Sequence, residues 1–288
     1  MNADTPPEDA PNAPTTADAA GVNRLPRRLD LDADPSRSLT WIGTAGAGSL
    51  NRSQRLFGGL ISGQILVAAG RARPDRRIHS MQQAFLRAGN VVDPLYYRVT
   101  PLFEGRTHAM SIVAVEQSGE VISHAQIGYT SGREGQPTWT PDSLPSNEPP
   151  EGVADRENMR GNVDHDPPIA MRVVKKQQLA ASPDLDIWFK AAGNPGDDPV
   201  AQRGLLGYSS DRGMLSTATK LVGAPENRTT ATVNHSIWFH APIDLTSWHL
   251  HRVTVRQLGD GLVLLDGQMI GPGGTIVAST RQEGSIRV

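Results

Sequence analysis

The chain repeats itself. Tyr96-Tyr97-Arg98-Val99-Thr100 has a counterpart in Leu250-His251-Arg252-Val253-Thr254, 154 positions further on. Phe85 and Phe239 precede the two motifs at the same separation of 154. GEVISHAQIGY at 119–129 parallels GTIVASTRQEG at 274–284, one position out of step. A spacing that holds across three landmarks marks a duplication, so one folding unit is to be expected twice.

Each half has the same order. An apolar helix candidate comes first, FGGLISGQILVAAGRA (57–72) in one half and SSDRGMLSTATKLVG (209–223) in the other. The first is apolar nearly all round, which predicts a buried helix. Strand candidates follow. In VISHAQI, Val121, Ser123, Ala125 and Ile127 share one face, and Ile122, His124 and Gln126 the other. Ser118-Gly119 and Pro272-Gly273-Gly274 read as hairpin turns. Each half is therefore an α+β unit, a buried helix lying against an antiparallel sheet.

Between the halves, 132–168 is dense in Pro, Gly, Asp and Glu and reads as a linker. Residues 1–38 read as a disordered tail and lead-in, 39–131 as the N-terminal unit and 169–288 as the C-terminal unit. The first residues carry neither a basic stretch nor an apolar core, so no signal peptide is expected. Net charge is −2 with a pI near 6.4, which favours neither nucleic acid nor an anionic membrane surface. No apolar run approaches the roughly 18 residues of a membrane span. The chain has no cysteine, which excludes disulfides, cysteine nucleophiles and thiolate metal sites and is compatible with a cytoplasmic location.

Several reactions lack their motif. There is no G-x-S-x-G elbow for a serine hydrolase, and no Walker loop or G-x-G-x-x-G for a nucleotide cofactor. Gly58, Gly59 and Gly63 stand at a helix start, where they suit a ligand at the free N–H groups or close packing of the helix on the sheet. His249 and His251 share a strand face; with no third ligand in view, an exposed face is expected rather than a metal. Asp164-His165-Asp166 reads as a solvated loop. His79 and His235, each before a serine, read as hydrogen-bonded structural histidines or as part of a site. Asp211 has two readings: an N-cap of the second helix, or a carboxylate placed as a general base.

Five ordered blocks resemble one known family. They are RLFGGLISGQILVAA (55–69), IHSMQQAFLRAG (78–89), LLGYSSD (205–211), ATVNHSIWFH (231–240) and VASTRQEG (277–284), with IWFKAAG (187–193) before the second helix. Together they resemble the type II acyl-CoA thioesterases over most of the chain. The resemblance implies a double hotdog: two tandem units, each an antiparallel sheet wrapped around a helix. It implies hydrolysis of acyl-CoA to free fatty acid and CoA, with acyl-CoA as substrate and no further cofactor or metal.

The resemblance assigns the chemistry to Asp211, Thr232 and Gln282, which together hold and activate a water. Ser209 or Ser210 would then cap the helix and leave Asp211 free. Gly59, Gln64, His79 and His235 are carried as substrate-binding candidates. Gln64 matches Asp211 in the first half, which would contribute shape more than chemistry. Asn234 stands where relatives often have Asp, and Thr107–Val113 lacks the arginines many relatives carry there. Pairing of hotdog sheets implies a homo-oligomer. Two other readings are a non-catalytic acyl-CoA-binding module and a hotdog enoyl-CoA hydratase or dehydratase. The hydratase chemistry wants an Asp/His pair, and Arg212–Thr217 contains no histidine.

Overall fold

The computed structural model describes residues 26–45, 55–132, 135, 139, 168–174, 184–225 and 228–287. The first half contributes β1 (Asp32–Ala33), β2 (Thr40–Gly43), α1 (Gly58–Ala72), β3 (Arg77–Phe85), β4 (Leu95–Glu104), β5 (His108–Gln117) and β6 (Glu120–Thr130). The second contributes β7 (Ile169–Val174), β8 (Asp184–Ala191), α2 (Pro199–Ser210), α3 (Met214–Leu221), β9 (Thr229–Phe239), β10 (His249–Gly259), β11 (Leu262–Ile270) and β12 (Ile276–Arg287). Most of the 132–168 stretch, including Asp164-His165-Asp166, lies outside the described residues.

All twelve strands form one antiparallel sheet in the order β1-β2-β4-β5-β6-β3-β9-β12-β11-β10-β8-β7. The order reads the same outward from the centre, with β3 and β9, β6 and β12, β5 and β11, and β4 and β10 as counterparts. At the β3–β9 junction Gln82 pairs with Ser236. Those two residues are themselves separated by the repeat spacing, so the pseudo-twofold axis passes through that pair. The duplication thus closes on itself, each unit supplying the edge strand the other needs.

The strands follow the alternation in the sequence, with a correction at one end. Along β6, Ser123, Ala125 and Ile127 are buried while His124 and Gln126 are exposed. A register shift beside Glu116 breaks the pattern, so Ile122 is buried rather than Val121. The preceding turn has Ser118 and Gly119 both at positive φ, as a tight hairpin requires.

Two antiparallel helices fill the sheet. A Cβ at Gly59 would lie 2.4 Å from the Tyr208 carbonyl oxygen, and one at Gly63 would lie 2.7 Å from the Gly204 carbonyl oxygen. At the other end Gly70 meets Val200. The glycines therefore serve helix–helix contact, rather than the helix–sheet packing expected. Leu29 and Leu31, from the expected lead-in, are buried in the same core.

The second helix differs from its expectation. The buried helix of that half is α2, which begins at an Asp198 N-cap, whose Oδ1 accepts from Val200 N at 2.9 Å, followed by Pro199. It ends at Ser210. Ser209 and Ser210 do not cap a start; their hydroxyls donate back to the carbonyls of Leu205 and Gly207, each at 2.8 Å. Gly207 is among the last four carbonyls of the helix, which lack partners within it. Gly213 then turns with φ 81, and α3 follows over the second-half strands, burying Met214 and Ala218 against Val253, Val263 and Leu265.

Candidate active site

Asp211 occupies the break between α2 and α3, as the C-cap of α2 and not as an N-cap. Because α1 runs antiparallel to α2, this break faces the start of α1. The Gly59 N–H donates to Asp211 Oδ2 at 3.0 Å. Gln282 on β12 donates from Nε2 to Asp211 Oδ1 at 2.9 Å and to Thr232 Oγ1 at 2.7 Å. The Thr232 hydroxyl on β9 donates to Asp211 Oδ1 at 3.3 Å. One loop and two strands thus bring Asp211, Thr232 and Gln282 into a single hydrogen-bonded set.

A β-bulge is responsible for the hydroxyl. In the β9–β12 ladder Gln282 pairs with His235 and Glu283 with Asn234, but Gly284 pairs with Thr232, skipping Val233. Side chains alternate along a strand, so His235 and Thr232 would point to opposite faces without the extra residue. The bulge turns both inward. Asn234 faces out and donates to Glu283 Oε2 at 2.9 Å, so an aspartate at this position would face a like charge.

Burial pushes the Asp211 carboxyl up to about 6. The bonds from Gln282, Gly59 N–H and Thr232 and the nearby Arg212 charge work in the opposite direction without cancelling it. Arg212 stacks beside the site: its guanidinium lies 4.0 Å from the Phe57 ring centroid and 4.9 Å from that of Tyr208, and it donates to the Tyr208 hydroxyl. Phe85 closes another side, 3.1 Å from where a Gly58 Cβ would stand. Phe57, Phe85 and Arg212 were not candidates from sequence; the signal for Arg212 is its position one helical turn after Tyr208.

The other candidates divide. Gly59 belongs to the cluster, so the first half supplies a hydrogen-bond donor as well as shape. Gln64 does not share in it: its Nε2 donates to the carbonyls of Arg28 at 2.6 Å and Thr44 at 3.3 Å, and its Oε1 accepts from the Tyr97 hydroxyl. That amide ties the lead-in segment to α1. His79 sits half-buried at a register irregularity of β3, its ring 6.0 Å from that of His108. His235 is fully buried, its Nε2 2.8 Å from Ser210 Oγ.

His249 and His251 are buried, not exposed as expected; His249 Nδ1 lies 3.0 Å from the Ser247 carbonyl and His251 Nε2 3.3 Å from Thr280 Oγ1. Gly267 on the intervening strand leaves room for that last contact. Among the described residues no three His, Asp or Glu side chains cluster as metal ligands, and no helix is long and apolar enough to cross a membrane.

A continuous sheet around two antiparallel helices, with an acid, a hydroxyl and an amide gathered at a helix start, defines a double hotdog hydrolase. Comparison with known proteins names the family. The acyl-CoA thioesterase profile matches residues 155–285, and that of the acyl-CoA thioesterase N-terminal domain matches 47–130. Acyl-CoA thioesterase 2 of Haemophilus influenzae is 30% identical over 261 residues, covering 81% of this chain and 88% of the relative. The mouse acyl-coenzyme A thioesterase 8 is 30% identical over 262 residues, covering 82% and 81%. The crystal structure of an acyl-CoA thioesterase II from Mycobacterium marinum superposes with a TM-score of 0.75 at 26% identity, covering 91% of this chain and 96% of that one. A hot dog protein of Alicyclobacillus acidocaldarius, 18% identical, shares the fold with a TM-score of 0.74 over 92% of this chain and 98% of that one. The chain belongs to the type II acyl-CoA thioesterase family, and its activity is the hydrolysis of acyl-CoA thioesters.

Proposed function

We propose that Asp211 is the general base of this hydrolysis, with Thr232 and Gln282 fixing the water it activates. The observation that carries the reading is the convergence of these three side chains, 50 and 71 positions apart for Gln282 to Thr232 and Asp211, on one carboxylate. A carboxylate offers about four lone-pair sites. Gln282, Thr232 and Gly59 fill three, and the fourth accepts a hydrogen from water. With its carboxyl near 6, Asp211 is ionised at neutral pH yet basic enough to take the proton as water attacks the thioester carbonyl.

Thiolate is a good leaving group, so the remaining demand is stabilisation of the oxyanion, which the positive end of α1 and those of its first N–H groups not already given to Asp211 and the Phe57 carbonyl supply. Thr232 and Gln282 lower the entropic part of the barrier by holding the water in line. Nothing in this sequence of steps calls for a cofactor, a metal or an acyl-enzyme. Thiol release from a panel of acyl-CoA chain lengths tests the reading. Asp211→Asn is expected to lower kcat by at least about a hundredfold with the fold intact. Near-wild-type turnover by that variant on every chain length sinks it.

The same proposal places the enzyme in fatty acid metabolism in the cytoplasm, consistent with a cysteine-free chain. It also has the enzyme working as a homo-oligomer. Exposed apolar side chains near the ends of the counterpart strands β4 and β10 support this, Leu102 and Phe103 in one half and Leu258 in the other, with Leu262 just beyond at the start of β11. Light scattering on the purified protein reads the oligomeric state, and a monomer refutes it.

A further inference from the structure

A second buried polar group stands behind the site and touches none of the reacting atoms in the proposed mechanism. His235 pairs in register with Gln282 and shares its inward face, and Ser210 immediately precedes Asp211. The two meet at 2.8 Å between His235 Nε2 and Ser210 Oγ, both fully buried.

The direction of this bond follows from hydrogen counting. Ser210 has one hydroxyl hydrogen, and Oγ donates it to the Gly207 carbonyl oxygen 2.8 Å away, which needs a donor at the end of α2. Ser210 Oγ therefore accepts from His235 Nε2–H. The alternative tautomer would leave His235 Nε2 and the Gly207 carbonyl competing for the one serine hydrogen and a buried His235 Nδ1–H with no acceptor. Nδ1 has no partner among the described residues, and an orphaned acceptor is less costly there than an orphaned donor. Burial lowers the ring to about 4, so it stays neutral over the working range.

The consequence concerns Asp211. The C-terminal end of a helix carries partial negative charge, an unfavourable place for a carboxylate. Something must hold the last turn of α2 against rotating Asp211 away from Gly59. Across the sheet, the first half has a matching device: Gln83, the register partner of His235, accepts from Ser62 Oγ on α1 at 2.6 Å and donates to Ser123 at 3.0 Å. Each central strand thus pins its own helix through one inward polar side chain and one helical serine.

We propose that His235 is a positioning residue for the thioesterase reaction, its Nε2–H locking Ser210 and with it the turn that presents Asp211. This rests on the reading of Asp211 as the base. The pin is rigid because both partners are buried and each has its hydrogen committed. Residue types at the site are unaffected by its loss, but the geometry is, and a small displacement of a general base is felt in turnover rather than in substrate affinity.

The test is steady-state hydrolysis by folded variants, read as kcat and KM separately. His235→Leu is expected to lose on the order of tenfold or more in kcat with KM within about twofold of wild type. His235→Gln places an amide N–H where Nε2–H was and recovers most of that loss. Ser210→Ala removes the acceptor, together with the hydroxyl's own bond to Gly207, and loses kcat like His235→Leu, and the double variant is no worse than either single one. Wild-type kcat in folded His235→Leu, a loss confined to KM, or no effect of Ser210→Ala overturns the proposal. Should His235→Leu fail to fold, Ser210→Ala decides alone. An inactive Asp211→Asn beside a fully active Ser210→Ala refutes the pin and leaves the base in place; an active Asp211→Asn refutes the base itself.

Discussion

The Gly59 backbone N–H donates to Asp211 Oδ2 at 3.0 Å, across 152 positions of chain and from one repeat to the other. Neither half completes the site alone. The second half supplies all three candidate side chains, and the first supplies the helix start that steadies the carboxylate. The antiparallel packing of α1 on α2 makes this possible, since it sets the beginning of one helix beside the end of the other.

That contact depends on the residue before Gly59 having no side chain. A Cβ at Gly58 would stand 2.9 Å from Asp211 Oδ2 and 3.1 Å from Phe85 Cζ. Gly58→Ala is therefore expected to push the carboxylate off the helix start and lower kcat on the order of ten- to a hundredfold, because a displaced base loses near-attack geometry. Circular dichroism should show an unchanged fold, since position 58 is only the first residue of α1. Wild-type turnover in the alanine variant would show that Asp211 does not need this contact.

The rate should follow the ionisation of Asp211. A base works only when deprotonated, and burial holds this carboxyl at about 6. The profile of log kcat/KM is then expected to rise with unit slope at acid pH, bend near 6 and lie flat above about 7. The nearest buried histidine is held well below this, near 4, and does not produce the same bend. Measuring kcat/KM between pH 4.5 and 8.5 on one acyl-CoA checks it; a profile flat down to pH 4.5, as an ordinary aspartate would give, would mean the free enzyme's base is not buried Asp211.

Much of this architecture is legible in the chain. The 154-residue spacing (Phe85 to Phe239) gives the two-unit plan, and the structure returns it as the Gln82–Ser236 pair at the centre of the sheet. Asp211, Thr232 and Gln282 are legible as a set because each lies in its own distinctive block. What is hidden is direction. Ser-Ser-Asp before an apolar segment has the composition of an N-cap, and only tertiary contacts decide that these serines bond backward to Leu205 and Gly207. The true start, Asp198-Pro199, carries the ordinary signal but is overshadowed by the more obvious pattern downstream. The bulge at Val233 leaves no mark in periodicity, since it shows only against the partner strand. Buried His249 and His251 mislead in the same way, because polar side chains on an inner face look like an exposed face until their partners are known.

Helix contact sets a limit on substitution in the core. A methyl group at Gly63 would lie 2.7 Å from the Gly204 carbonyl oxygen and 2.8 Å from Leu29 Cδ2, so the helices would have to separate. Overpacking of this kind costs about 1–3 kcal/mol, offset by roughly 1 kcal/mol of improved helix propensity. Gly63→Ala is expected to be destabilised on balance, whereas Gly193→Ala, with nothing within 4 Å of its added carbon, should be nearly neutral. Urea denaturation of the two variants separates them. Equal midpoints would mean that α1 and α2 are not in the close contact described.

Acid should destabilise the fold through its buried histidines. Burial lowers His235 to about 4 and His251 to about 3, and it lowers His249 as well. A histidine depressed in the folded state contributes stability that is fully present above its unfolded value of 6.5 and is lost as pH falls toward its folded value. Below 6.5 the unfolded chain takes up protons that the folded one refuses, about 1.4 kcal/mol per pH unit for each group. Asp211 works with the opposite sign: its carboxyl is raised to about 6, so its ionisation lowers stability as pH climbs from about 4 through 6. Between pH 6 and 4.5 the histidines outnumber it, and unfolding free energy is expected to fall as acid is added. The difference in melting temperature between Asp211→Asn and wild type should meanwhile widen in favour of the variant as pH rises from 4.5 to 7.5. Thermal melts of both proteins across that range measure the two slopes, and a wild-type stability that is flat from pH 6 to 4.5 would show that these rings are not held neutral in the folded protein.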